Sequence, residues 1–183
     1  MTNQQIINIK NQEEMAEFAK NFAHGSCFKS KDSKKFFRSL NLRSAVHEKV
    51  LEHRKNQKRT NITEGFRFTT VPRIIGLKGT LGAGKSFFAK HFINELQEEK
   101  EEILSPTFNL TLSYQTKLGE VSHFDLYRLK DKSELENIGF FDSIKNNICL
   151  IEWPEIALNY LKTLPGFVLL EFEIGDGEER IIT

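Results

Sequence analysis

Met15, Phe18, Ala19 and Phe22 recur at intervals of three and four residues, which lines one face of a helix and predicts a short amphipathic helix over residues 12–23. A different order begins at residue 73. Ile74, Ile75 and Leu77 form a short apolar run that ends near glycine and predicts a buried strand over residues 73–77. Phe88, Phe92, Ile93 and Leu96 share a helical face and predict a helix from residue 85 to about 100. The run Ser105-Pro106-Thr107-Phe108 reads as a loop, followed by two strands, residues 110–116 and 121–125, around a turn at Gly119. Ser133 with Glu136 three residues later has the spacing of a capping box and predicts a helical stretch over 133–138. Residues 148–151, Ile-Cys-Leu-Ile, predict a strand buried on both faces, and residues 167–174 a further strand.

The segment from about residue 25 to 70 breaks this regime. It contains 12 Lys/Arg against 4 Asp/Glu, a balance of +8 within a chain of net charge +1, which leaves −7 for the rest. Scattered aromatics (Phe28, Phe36, Phe37, Phe66, Phe68) and two predicted helices, residues 34–40 and 44–56, mark it as a basic insertion. Clustered cations interleaved with aromatics point toward contact with nucleic acid or another polyanion, although solvated basic helices are common. Otherwise the 183 residues, 39% hydrophobic and 28% charged, fit one ordinary domain, residues 1–183, carrying that insertion. No run approaches the roughly 18 to 20 apolar residues of a membrane span, and Met1-Thr2-Asn3-Gln4-Gln5 lacks the order of a secretory signal, so no membrane association and a cytoplasmic location are expected. Cys27 and Cys149 lie far apart without metal-type spacing, and Cys149 sits in an apolar run where a buried, inert thiol is expected.

The chemistry concentrates at Gly79-Thr80-Leu81-Gly82-Ala83-Gly84-Lys85-Ser86, a glycine, four residues, then Gly-Lys-Ser, set between the strand and the helix just described. That context makes it a P-loop. Gly79, Gly82 and Gly84 permit the backbone to turn its N–H groups onto phosphate oxygens, with Leu81 and Ala83 supplying further amides and the helix N-terminus favouring negative charge. Lys85 is expected at the β and γ phosphates of ATP, and the Ser86 hydroxyl on magnesium. The fold class is therefore α/β, a P-loop NTPase-like mixed β-sheet flanked by helices, with the basic, helical insertion before the P-loop strand.

A magnesium-dependent ATPase also needs a carboxylate at the end of a buried strand. Asp125 and Glu152 both stand there, and an acid directly after so apolar a run needs a cation or donors to offset its desolvation. Spacing does not decide which of them ligates magnesium and which orients the attacking water. Thr107 reads either as a hydroxyl facing the γ-phosphate or as part of a plain turn. Trp153 is a candidate nucleotide contact, although a tryptophan after a buried strand more often packs in a core. Arg128 and Arg180 are the basic residues expected nearest the phosphates, and His123 reads as a buried strand residue rather than a base.

These blocks together resemble the TsaE family, the P-loop ATPases of bacterial tRNA threonylcarbamoyladenosine synthesis. The resemblance rests on Leu81 to Ser86, on Ser105-Pro106-Thr107-Phe108, on His123-Phe124-Asp125-Leu126-Tyr127-Arg128-Leu129, on Glu134-Leu135-Glu136 followed by Gly139, and on Ile148 to Glu155, in family order over roughly residues 73–183. It implies that ATP binds residues 81–86, that Ser86 and Glu152 hold magnesium, and that Asp125 is required for hydrolysis. It further implies work with TsaD and TsaB, which transfer threonylcarbamoyl to the adenosine beside the anticodon in tRNAs reading codons that begin with adenine. ATP use then supports cycling of that complex rather than the transfer itself. Two departures stand out: Thr80 and Ser86 occupy places where the family commonly has aspartate and threonine, and the link between the first helix and the P-loop strand is far longer here. A small-molecule P-loop kinase is the alternative, but no arginine-rich lid follows Glu152; a nucleotide-gated binding module without turnover is a third reading.

Overall fold

A computed structural model describes residues 6–24 and 73–183. The basic segment, its two expected helices and Cys27 lie outside the described residues. The elements are β1 (Ile7–Ile9), α1 (Gln12–Ala23), β2 (Ile74–Gly79), α2 (Lys85–Leu96), β3 (Thr111–Thr116), β4 (Gly119–Asp125), α3 (Glu134–Asn137), α4 (Phe140–Asn146), β5 (Ile148–Glu152), a 3-10 turn (Pro154–Ile156), α5 (Leu158–Leu161), β6 (Phe167–Ile174) and β7 (Arg180–Ile182). The strands form one mixed sheet in the order β1-β7-β6-β2-β5-β4-β3. Its centre, β6-β2-β5-β4, is parallel, and antiparallel pairs close both edges. This is the mixed sheet with flanking helices that the sequence predicts.

The parallel centre is buried on both faces, and strand alternation divides its side chains between two cores. Ile75, Leu77, Val121, Ile148, Leu150, Val168 and Leu170 pack with α1 and α2. Ile74, Phe124, Cys149 and Ile151 pack on the opposite face with Leu135, Phe140, Ile144 and Leu161 from α3, α4 and α5. A strand filling both cores has no polar alternation, which is why β5 reads as continuous apolar sequence. On the first face Phe18 and Phe22 of α1 meet Phe88 of α2 with ring centroids 5.5 and 5.7 Å away, and Phe88 meets Phe172 of β6 at 5.8 Å. This aromatic cluster fixes α1 against the helix that follows the glycine loop.

Several boundaries differ from expectation for identifiable reasons. Helix α2 stops at Leu96 instead of running to residue 100, because Gln97 turns to an extended backbone (φ −67°, ψ 144°). Glu98 and Glu99 would otherwise add negative charge at the negative end of the helix dipole. The amide of Lys117 donates to the Leu96 carbonyl at 3.1 Å and satisfies part of that end. The capping box expected from Ser133 and Glu136 does not form. Asp131 instead accepts from the Ser133 amide and hydroxyl, and Glu134 accepts from the amides of Lys130 and Asp131 at 2.9 Å each. β1, β7, α4 and α5, all of seven residues or fewer, are not among the elements that the pattern of the sequence predicts.

Phe22 is fully buried, so Phe22→Ala should lower the unfolding free energy by about 3–5 kcal/mol. The expected signature in urea is an earlier midpoint with an unchanged slope. Cys149 is fully buried as expected, and burial pushes its thiol up to about 12. At pH 8 a thiol at that value is thiolate in only about one molecule in ten thousand. In a Cys27→Ser background, Cys149 should therefore resist a thiol reagent in the folded protein and react once denaturant unfolds it.

Candidate functional site

The site forms where β2, β5 and β4 end side by side. Glu152 is in register with Leu77 of β2 and with Asp125 of β4. Counting back in steps of two from Glu152 gives Leu150 and Ile148, and from Asp125 gives His123 and Val121. Ile148, Leu150 and Val121 all belong to the core under α2, so both carboxylates and His123 emerge on the face that carries the glycine loop and its helix.

The loop itself is shaped by close backbone approaches. Gly79 has φ +148°, and a Cβ there would lie 2.4 Å from the Phe172 carbonyl oxygen, so a side chain does not fit. Gly84, with φ +104°, forms the left-handed N-cap that starts α2 without any side-chain cap. The first-turn amides of α2 are thereby left facing the cleft, the arrangement that receives an anion.

Among the described residues six polar or charged side chains are buried, and four of them, Lys85, His123, Asp125 and Glu152, gather here. Lys85 is 4% exposed, and its ammonium donates to the carbonyls of Gly79 and Thr80 at 2.7 and 2.8 Å. Burial pulls this lysine below its ordinary value, while Glu152, Asp125 and Glu155 push it back up. The Ser86 hydroxyl donates to Oε2 of Glu152 at 2.7 Å, and Nε2 of His123 lies 2.8 Å from Oε1. Asp125 accepts from the Thr107 hydroxyl at 2.8 Å and from the Tyr127 amide at 3.0 Å. Thr107 is held on its other side by Ser105 at 2.9 Å. The strand-end acids are thus each met by donors, as their desolvation requires.

A cleft of about 520 Å³ opens over these groups, within the usual range for a small-molecule site. Leu81, Gly82, Gly84, Lys85, Ser86, Thr107, Asp125, Glu152 and Trp153 all line it. Trp153 departs from the core packing favoured for a lone tryptophan: it is half-buried, its ring centroid 4.0 Å from the Lys85 ammonium and 4.8 Å from the Tyr127 ring. Arg180 reaches the cleft and donates to the Gly82 carbonyl at 3.3 Å, whereas Arg128 is exposed and outside the lining. The far wall, Asn11, Gln12 and Met15 from the start of α1 with Gly177 and Glu178 before β7, had no local signal in the sequence. It arises only because β1 pairs with β7 and draws both ends of the described chain to the loop.

Among the described residues no group of three or more His, Cys, Asp or Glu is arranged to hold a metal ion. The donors present are a hydroxyl, Ser86, and the carboxylates of Glu152 and Asp125. That is a hard-oxygen set suited to magnesium, which takes one or two carboxylates and completes its shell with phosphate oxygens and water. The residues therefore fit a magnesium nucleotide. No helix among the described residues is long and apolar enough to cross a membrane.

A protein of Rickettsia felis named tRNA threonylcarbamoyladenosine biosynthesis protein TsaE is 41% identical over 108 residues, covering 59% of this chain and 62% of that protein. The chain thus spans about three fifths of the length of that relative. A protein of the same name from Rickettsia bellii is 39% identical over 122 residues, 66% of this chain and 83% of the relative. The crystal structure of Bacillus subtilis YdiB superposes with a TM-score of 0.56 over the whole chain and 84% of its own, at 20% identity, a likeness of fold. The sequence pattern of the family described as threonylcarbamoyl adenosine biosynthesis protein TsaE matches residues 9–182, and the chain belongs to that family.

Proposed function

We propose that this chain binds ATP with magnesium in the cleft beside the glycine loop and hydrolyses it in the service of tRNA threonylcarbamoyladenosine synthesis. The observation that carries this reading is the buried lysine at the head of α2, set beside a serine–glutamate pair and a second strand-end carboxylate. Glycines 79, 82 and 84 together with Leu81 and Ala83 present backbone amides to the phosphates. Lys85 exchanges its neutral carbonyl acceptors for anionic β and γ phosphate oxygens, so that both partners of each bond carry charge. Ser86 and Glu152 hold magnesium, and Asp125, steadied by Thr107 and the Tyr127 amide, orients the attacking water. Magnesium, when bound, neutralises charge on the β and γ oxygens. Trp153 shields the Lys85 ammonium from solvent and borders the nucleotide.

The name shared by the relatives supports the pathway, and TsaD and TsaB are the proposed partners. In this reading the partners perform the transfer to the adenosine beside the anticodon, and hydrolysis here drives cycling of the complex. The chain works in the cytoplasm as one ATPase domain, with the basic segment at about residues 25–70 contacting tRNA or an acidic face of the partner complex.

Phosphate release by the purified protein, alone and with TsaD and TsaB, tests the reading. Turnover should rise when the partners are added. Lys85→Ala removes a charged phosphate contact of about 1.5–3 kcal/mol and should weaken ATP binding about 10- to 100-fold. Asp125→Asn should leave binding within about threefold and lower turnover about a hundredfold, the scale of a lost proton-handling group. Undiminished turnover in Asp125→Asn, or indifference to the partners, would overturn the assignment, and phosphate appearing on an added acceptor would indicate a kinase instead.

A further inference from the structure

We propose that His123 is a positioning residue for the metal-binding carboxylate: its Nε2 donates to Oε1 of Glu152 and thereby commits Oε2 to Ser86 and the divalent cation. This rests on the nucleotide reading above and adds a residue to it.

The argument begins with register. His123 of β4 lies opposite Leu150, two positions before Glu152 on the adjacent parallel strand and on the same face of the sheet. The ring is 1% exposed, Glu152 is 2% exposed, and the contact between them is 2.8 Å. A glutamate has three side-chain torsions, so a strand that fixes its Cα does not by itself fix its oxygens. Here each oxygen is held by one group, Oε1 by His123 and Oε2 by Ser86 at 2.7 Å. A carboxylate that serves a cation can only accept, so the shared proton belongs to Nε2. Nδ1 of His123 is buried and has no hydrogen-bond partner. A bare ring nitrogen is the less costly group to leave unpaired, since orphaned buried N–H groups are the rarer kind.

The ring therefore makes one polar contact, and that contact is with Glu152. It does not line the cleft, so it neither meets the nucleotide nor acts as a base on water. A histidine kept only for packing would be replaceable by an apolar side chain of similar size. A histidine kept as a donor to Oε1 is replaceable only by a group that puts an N–H in the same place. Glutamine does so, because its amide nitrogen reaches about as far as Nε2, whereas the asparagine amide ends near the position of Nδ1.

The experiment measures binding of a fluorescent non-hydrolysable ATP analogue to the full chain as free magnesium is titrated, with EDTA as the baseline. Wild type, His123→Gln, His123→Asn and His123→Leu are compared, with thermal melting as a check on folding. In EDTA all four should bind the analogue within about twofold of one another. Partners of metal ligands change metal affinity by about 10- to 100-fold. His123→Asn and His123→Leu should accordingly need at least about tenfold more magnesium for half of the metal-dependent gain, while His123→Gln stays within about threefold of wild type. Should the leucine variant fail to fold, the contrast between the two amides still decides. Histidine 15N resonances of the magnesium-free wild type should show the proton on Nε2. Equal magnesium dependence in all variants, equal loss in Gln and Asn, or a proton on Nδ1 would overturn the role of His123 while leaving the nucleotide reading intact. Absence of magnesium-nucleotide binding in the wild type would overturn both.

Discussion

The end of β5 sets the terms for everything around it. Four consecutive apolar residues fill both cores, and the next side chain is a glutamate that is still 2% exposed. A carboxylate placed there must be surrounded by donors, because the interior offers it no water. Ser86 from the head of α2 and His123 from β4 supply them. Both reach Glu152 only if β2 lies on one side of β5 and β4 on the other, each parallel to it and in the observed register. A one-residue slip of either strand would turn its set of side chains to the opposite face. The chemistry of the site and the topology of the sheet are thus one constraint.

The second requirement is that the N-terminus of α2 meet the ends of those strands at a fixed angle. Phe88 holds the helix from below, enclosed by Phe18, Phe22 and Phe172. Through the same contacts α1 is carried to the cleft, where Asn11 caps that helix by accepting from the Glu14 amide at 2.9 Å. The antiparallel pairs β1-β7 and β7-β6 then bring Arg180 to the Gly82 carbonyl. Packing that would pass as ordinary core stability also builds the wall of the cleft opposite the carboxylates.

What the sequence made legible follows from this division. The glycine loop, α2, β5 and the two strand-end acids are local patterns, each readable from neighbours in the chain, and the structure brings them together. The pairing of Ser86 with Glu152 spans 66 positions, and only the resemblance to a family indicated it beforehand. The far wall of the cleft depends on strands of three residues, too short for alternation to register. His123 was readable as a buried strand residue, but its partner was not, because a contact across 29 positions is fixed by register rather than by spacing. At Ser133 a local pattern misled: Asp131 took the Ser133 amide that Glu136 was expected to cap, and Glu134 accepted from the amides of Lys130 and Asp131 instead, a competition between nearby acids that sequence spacing does not rank.

Trp153 shows how the same constraint reaches the backbone. It adopts φ 53° and ψ 58°, a left-handed conformation that costs a bulky residue about 1–2 kcal/mol. Its amide donates to the Leu77 carbonyl at 3.1 Å, continuing the β5–β2 ladder one residue beyond the strand. Pro154 opens the 3-10 turn immediately afterwards, so the chain must bend at this residue. The bend carries the indole off the sheet and over the Lys85 ammonium, 4.0 Å from the ring centroid. A desolvated cation over an aromatic face gains up to about 2 kcal/mol, comparable to the strain. The indole therefore covers the lysine while Glu152 and Ser86 line the same cleft. An extended backbone at Trp153 would prolong β5 instead and remove the ring from the Lys85 ammonium, which burial pulls below its ordinary pKa and both strand-end acids push back up.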